Sequence, residues 1–108
     1  MSKNRSKLEM DKFYYSYGGG AHPSLVYEKT QHKTYKSVKF GTTKKKHMTE
    51  IKPIQKGHEK SYVHNRPFEG TRKDYGDREL KGLAINDEDK NFIDQIKKRF
   101  SEFSWGAR

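Results

Sequence analysis

Five side chains of this 108-residue chain are of types that can move protons and hold charge beside a phosphate without a metal: His22, Thr42, Thr43, Arg66 and Arg72. Cutting an RNA backbone needs a base to take the 2′-hydroxyl proton and an acid to protonate the departing 5′-oxygen. It also needs a cation beside the charge that grows on the phosphate. Imidazole serves in either of the first two roles, guanidinium in the third, and a threonine hydroxyl donates a hydrogen bond. His22 lies between the glycine run Gly18-Gly19-Gly20 and Pro23. Thr42 and Thr43 follow Phe40-Gly41, and His64, Arg66, Arg72 and Asp74 come later. Four of them have a plainer alternative. His22 can simply satisfy the glycine loop, the threonines suit a turn or strand end, and Arg66 can pair with Glu69 on the surface.

Other chemistry is poorly provided for. The chain has no cysteine, which excludes disulfides, thiolate nucleophiles and Cys-built zinc sites. Its five histidines fall in no metal-ligand spacing, so no metal and no cofactor are expected. The triple glycine lacks the later Gly-Lys-Ser/Thr of a phosphate-cradling loop, and a turn is its better reading.

For the scattered residues to meet, strands must carry them. Residues 13–17, 25–27, 34–41 and the start of 61–68 have strand composition, and 80–85 reads as a last short strand. Residues 69–79 read as a charged loop. In 34–41 the alternation puts Tyr35, Ser37 and Lys39 on one face and Thr34, Lys36, Val38 and Phe40 on the other, predicting a half-buried strand with one wet, basic face. A helix over 87–103 is the clearest element. Asn86 is placed to cap it, and Asp87-Glu88-Asp89 load its first turn with negative charge. Phe92, Ile93, Ile96, Phe100 and Phe103 recur on one face. Lys97-Lys98-Arg99 complement the helix dipole and form a solvated face. Residues 1–12 are expected to be a basic, disordered tail, and 13–108 one small domain with Trp105 docked on it.

Leu, Ile, Val and Phe make up only 18 of the 108 residues, a level at which high charge favours disorder. Seven Tyr, six Phe and one Trp tip the balance toward a small core. So small a domain also invites dimerisation. The formal charge of +10 is concentrated in residues 1–60, which hold 14 Lys/Arg against 5 Asp/Glu. Such a field favours RNA or DNA, or an acidic protein, as partner. Lys36, Lys39, Lys44, Lys45, Lys46 and His64 are the candidate phosphate contacts and Tyr35 the candidate base-stacking ring. Lys44-Lys45-Lys46 reads equally as a solvated loop. No apolar run is long enough for a membrane helix and no signal peptide is evident, which predicts a cytoplasmic protein without a membrane partner.

The order Gly18-Gly19-Gly20-Ala21-His22-Pro23-Ser24-Leu25-Val26, Lys39-Phe40-Gly41-Thr42-Thr43, Ser61-Tyr62-Val63-His64-Asn65-Arg66-Pro67 and a C-terminal helix resembles the PemK/MazF family of toxin endoribonucleases. The resemblance covers residues 18–100 in layout and is specific around 18–26 and 42–43. It implies a mostly β fold, a small SH3-like or PemK-like barrel with one C-terminal α-helix. It also implies metal-independent cleavage of single-stranded RNA and an antitoxin protein as a further partner. The family's catalytic Arg before Pro falls on His22, and its Thr on Thr42 or Thr43. With His in place of a permanent cation, Arg66 or Arg72 would have to supply the charge. The alternative is a non-catalytic basic module that binds nucleic acid, or a phage-type inhibitor that engages an acidic partner.

Overall fold

The computed structural model describes residues 7–17 and 20–103. In chain order come β1 (Lys12–Ser16), β2 (His22–Lys29), β3 (Thr34–Gly41), β4 (Met48–Ile51), β5 (Ser61–His64) and β6 (Phe68–Thr71). A 3₁₀ turn (Arg72–Asp74), a second one (Asp87–Asp89), α1 (Lys90–Lys97) and a short β7 (Glu102–Phe103) follow. The protein is therefore mostly β with one helix near its C-terminal end. The sheet does not close into a barrel.

β3 is the hub. Along one edge it pairs antiparallel with β2. Along the other edge its first half, residues 34–37, pairs with β6. Its last residues, Phe40 and Gly41, pair with β5. β1 extends the β2 side and β4 the β5 side. The expected wet, basic face of β3 is absent because both of its faces are covered. Val38 and Phe40 join Phe13, Leu25, Val63, Ile93 and Ile96 in one apolar core. Tyr35 joins Leu8, Tyr14, Val26, Phe68 and Tyr75 in a second. A central strand buried on both sides gains apolar contact from every residue, so the polar/apolar alternation no longer marks solvent.

Four further expectations change. Leu8 is buried and the Glu9 N–H donates to the Tyr14 hydroxyl at 3.0 Å, so the segment before β1 is packed from Leu8 onward rather than a free tail. β6 occupies part of the stretch read as loop, while residues 80–85 make only isolated bridges, Phe13 with Leu80 and Gln55 with Leu83. The helix is shorter than its periodicity implied. Asn86 caps the turn that leads into it, accepting from the Glu88 N–H at 2.9 Å. Ile93 and Ile96 fill the core. The chain then leaves the helix after Lys97 and pairs parallel with β6 at Glu102–Phe103, so backbone pairing to an existing sheet edge overrides the helical spacing of Phe100 and Phe103. Trp105, and Gly18 and Gly19 of the glycine run, lie outside the described residues.

The second core is laced with hydroxyls. The Tyr75 hydroxyl donates to the Tyr35 carbonyl at 2.9 Å and so accepts from Ser37 Oγ at 3.0 Å. Ser16 and Ser24 share a hydrogen bond of 2.6 Å across β1 and β2. Burial pushes the Tyr75 phenol well above its ordinary range, outweighing the Ser37 bond that lowers it, and Asp74, Glu69 and Tyr27 raise it further. On the other side of the sheet Tyr27 interrupts the β2–β3 register and donates to the Lys97 carbonyl at the end of α1, 3.1 Å away. Its phenol is raised too, first by burial and then by Glu28 and Glu69.

Candidate functional site

At the end of the sheet where β2 begins and β3 finishes, a cavity of about 280 Å³ gathers His22, Thr42, Thr43, Lys45, Gln55 and His58 over a floor that includes Phe40, Gly41, Met48 and Ile54. Antiparallel pairing explains the meeting. Because β2 and β3 run in opposite directions, the first residue of β2 and the residues after β3 lie at one end. Gly20 has φ +103°, a conformation natural to glycine, and a Cβ there would sit 3.6 Å from His22 Nε2. Gly41 likewise leaves room: a Cβ on it would meet Met48 Cε at 3.3 Å and His22 Nδ1 at 3.9 Å. Both glycines therefore define the space beside the imidazole.

His58 arrives by a different route. Between β4 and β5 the chain makes an excursion that is closed by the Ile54 N–H donating to the buried Ser61 Oγ at 3.0 Å. It is tied to the neighbouring segment by the Ala84 N–H to the Ile54 carbonyl at 2.9 Å. Within it, Gly57 with φ +92° and a bond from the His58 N–H to the Gln55 carbonyl make a tight turn that brings the exposed imidazole to the cavity rim. Sequence reasoning did not single out His58. Lys56-Gly57-His58 marks the turn, and only the fold reveals what the turn faces.

The expected site residues divide clearly. His22, Thr42, Thr43 and Lys45 come together, and Lys44 and Lys46 stand exposed on the same loop, Lys44 Nζ donating to the Met48 carbonyl at 3.2 Å. Arg72 does not line the cavity. Its guanidinium donates to the carbonyls of Tyr75 and Gly76, both at 3.2 Å, and meets Asp77 at 3.4 Å. A carbonyl shielded from water is a costly group to leave unpaired, and Arg72 is committed to two, on buried Tyr75 and half-buried Gly76. Arg66 does not line the cavity either, nor does it form the expected pair with Glu69, which instead accepts from the Thr34 hydroxyl. Arg66 and Lys36 line a separate groove near the end of α1. Lys39 lies over the Phe68 ring, 4.5 Å from its centre. His64 ends β5, half-buried and opposite Met48 of β4. Tyr35 is 3% exposed, its ring held edge-on to Tyr75, so it cannot stack a base; Tyr15 and Tyr17 are the exposed tyrosines.

The cavity thus holds two imidazoles, one ammonium and the hydroxyls of Thr42, Thr43 and Ser61, the last of which already accepts from the Ile54 N–H. Such a set can take up and release protons and stabilise an oxyanion. Among the described residues no group of three His, Asp or Glu is placed to hold a metal ion, and no helix is long and apolar enough to cross a membrane. No protein-family model, curated protein or solved structure matches this chain.

Proposed function

We propose that the chain is a metal-independent endoribonuclease that cleaves single-stranded RNA at the His22 cavity, in the manner of the PemK/MazF toxins it resembles. The observation that carries this reading is the convergence of His22 with Thr42 and Thr43, which lie 20 and 21 residues further along the chain, in one cavity that also holds Lys45 and His58. One imidazole, neutral, takes the 2′-hydroxyl proton. The 2′-oxygen attacks the adjacent phosphorus, and the other imidazole, charged, gives its proton to the 5′-oxygen as the P–O bond breaks. The products are a 2′,3′-cyclic phosphate and a 5′-hydroxyl. Lys45 and the threonine hydroxyls face the oxygens on which charge accumulates. This division of labour suits a histidine where the toxins carry an arginine, because the cation comes from Lys45 instead of Arg66 or Arg72. A cytoplasmic setting, an antitoxin protein or acidic partner and a homodimer accompany the reading.

Purified protein is expected to cut a long RNA in EDTA, and His22→Ala to abolish cutting with an unchanged circular dichroism spectrum. Failure of the wild type to cut any long RNA removes the nuclease. One observation favours a second reading, a basic module that binds nucleic acid without cutting it: among the described residues no guanidinium lines the cavity. That module would bind RNA with log K falling on log salt at a slope of about −3 for ~4 phosphate contacts, and His22→Ala would leave no activity to lose.

A further inference from the structure

The groove near the end of α1 shares no lining residue with the His22 cavity. It encloses about 670 Å³ between Lys36 on β3, Glu69 on β6, Arg66 in the β5–β6 connection and Lys98, Arg99, Phe100 and Ser101 beyond α1. Four cations face a single carboxylate, and that carboxylate is buried and held by Thr34. No ion pair to Lys36, Arg66 or Lys98 forms among the described residues. Arg99 is fixed in place, one Nη1–H bonded to the Asn65 carbonyl at 3.0 Å and its plane 5.7 Å from the centre of the Phe92 ring, and it has further N–H groups to donate.

Two observations point to a ligand. Phe100 is 88% exposed, the most exposed of the large apolar side chains among the described residues, and it stands among these cations. Ser101 Oγ is buried and lacks a hydrogen-bond partner, alone in this among the side-chain polar atoms of the described residues. An unpaired buried hydroxyl on the wall of a groove is a site waiting for a partner. We infer that this groove binds a segment of single-stranded RNA. Arg66, Lys98, Lys36 and Arg99 hold successive phosphates, a base stacks on Phe100, and Ser101 bonds a backbone oxygen. Guanidinium forks match phosphate oxygens, and an aromatic ring beside a cationic track is how single strands are held irrespective of sequence. An acidic peptide would use the cations and leave the ring idle. The inference rests on the reading of the chain as RNA-directed and gives the substrate a second contact, outside the cleavage cavity.

The test is fluorescence anisotropy of a labelled 12-nucleotide 2′-O-methyl oligouridylate, which cannot form a cyclic phosphate and is bound but not cut. The double variant Arg66→Ala/Lys98→Ala should bind about tenfold more weakly and lower the salt slope by about 1.4, at ~0.7 for each lost contact. Phe100→Ser, a change at an exposed position that spares the fold, should weaken binding by about tenfold with the slope unchanged. Unchanged affinity in all these variants, or no binding by the wild type, overturns the inference. So does equally tight binding of a polyglutamate of the same length, which would make the groove a protein-docking surface. Because cutting plays no part in the readout, a chain that binds through this groove yet never cleaves RNA refutes the nuclease and leaves the groove standing. One that cuts while the variants bind normally does the reverse.

Discussion

Residues 42–58 and residues 71–77 both combine threonine, basic side chains, a turn and a glycine, yet the fold uses their polar groups in opposite ways. In 71–77 the polar groups are spent on the backbone. Asp74 accepts from the Thr71 N–H at 2.7 Å, Arg72 donates to two carbonyls, and the Tyr75 hydroxyl satisfies the Tyr35 carbonyl. In 42–58 only Lys44 makes a comparable bond, to the Met48 carbonyl, while Thr42, Thr43, Lys45 and His58 stand around a cavity. The lesson is that residue type does not separate chemistry from architecture. What separates them is whether a side chain's hydrogen-bonding capacity is already consumed by buried backbone groups, because those groups cannot be left without partners.

The sharpest way to break this contrast is to remove an imidazole. His22→Ala and His58→Ala should each lower kcat/KM for RNA cleavage by about 10²–10⁴, the usual worth of a general acid or base, with urea midpoints close to the wild type. If His58→Ala cuts normally, the two-imidazole arrangement is wrong. Arg72→Met is the counterpart: it should lose stability while the activity of the folded fraction stays.

Next in size is Gly70→Ala. An added Cβ would lie 2.7 Å from Asp74 Oδ2 and 2.9 Å from its Cβ, pushing the carboxylate off the Thr71 N–H. A loss of ~2–3 kcal/mol in urea denaturation is expected, the upper part of the range for overpacking. An unchanged midpoint would mean that the 71–77 turn is not held as described.

Tyr75→Phe should cost about 1–2 kcal/mol, because Ser37 and the Tyr35 carbonyl lose a buried partner. It also changes the response to alkali. The Tyr75 and Tyr27 phenols titrate higher in the folded chain than in the unfolded one, where the ordinary value is ~10. Above about pH 10 the unfolded chain therefore binds fewer protons than the native one, and stability falls as pH rises. Urea melts of the wild type should weaken between about pH 9 and about pH 11, and Tyr75→Phe should show a smaller drop over that interval. An equal drop in both would place the alkaline sensitivity elsewhere.

The smallest effect is expected at Gly57→Ala. No atom lies within 4 Å of the added Cβ, so only the strain of φ +92° is paid, ~1 kcal/mol. If His58 acts in cleavage, the shifted turn should lower kcat more than it lowers stability.

Much of the architecture was legible along the chain. β3 has the bounds its composition predicts, Asn86 caps where its position before three acids says it should, and Ile93 and Ile96 carry the apolar stripe into the core. What the pattern missed has a common cause. β6 was hidden in Phe68-Glu69-Gly70-Thr71, whose glycine and glutamate argue against a strand. It exists because β3 offers a free edge, and because Gly70 leaves room for Asp74. The helix stops at Lys97 because the following residues pair with β6. Leu8 is buried because Tyr14 and Val26 need cover. Each of these is a long-range pairing or packing event, invisible to a local window.

The sequence by itself determined the mostly β class, the strong positive charge and the stock of imidazoles, hydroxyls and cations from which a metal-free site could be drawn, since these follow from composition and short-range periodicity. The tertiary structure alone decided which of those residues meet. Antiparallel strand ends placed His22 beside Thr42 and Thr43, and a turn 16 residues further on delivered His58. Backbone carbonyls in need of donors took Arg72 out of the site. Proximity in a fold is set by pairing register and by the satisfaction of buried polar groups, and neither is written in the identity of any single residue.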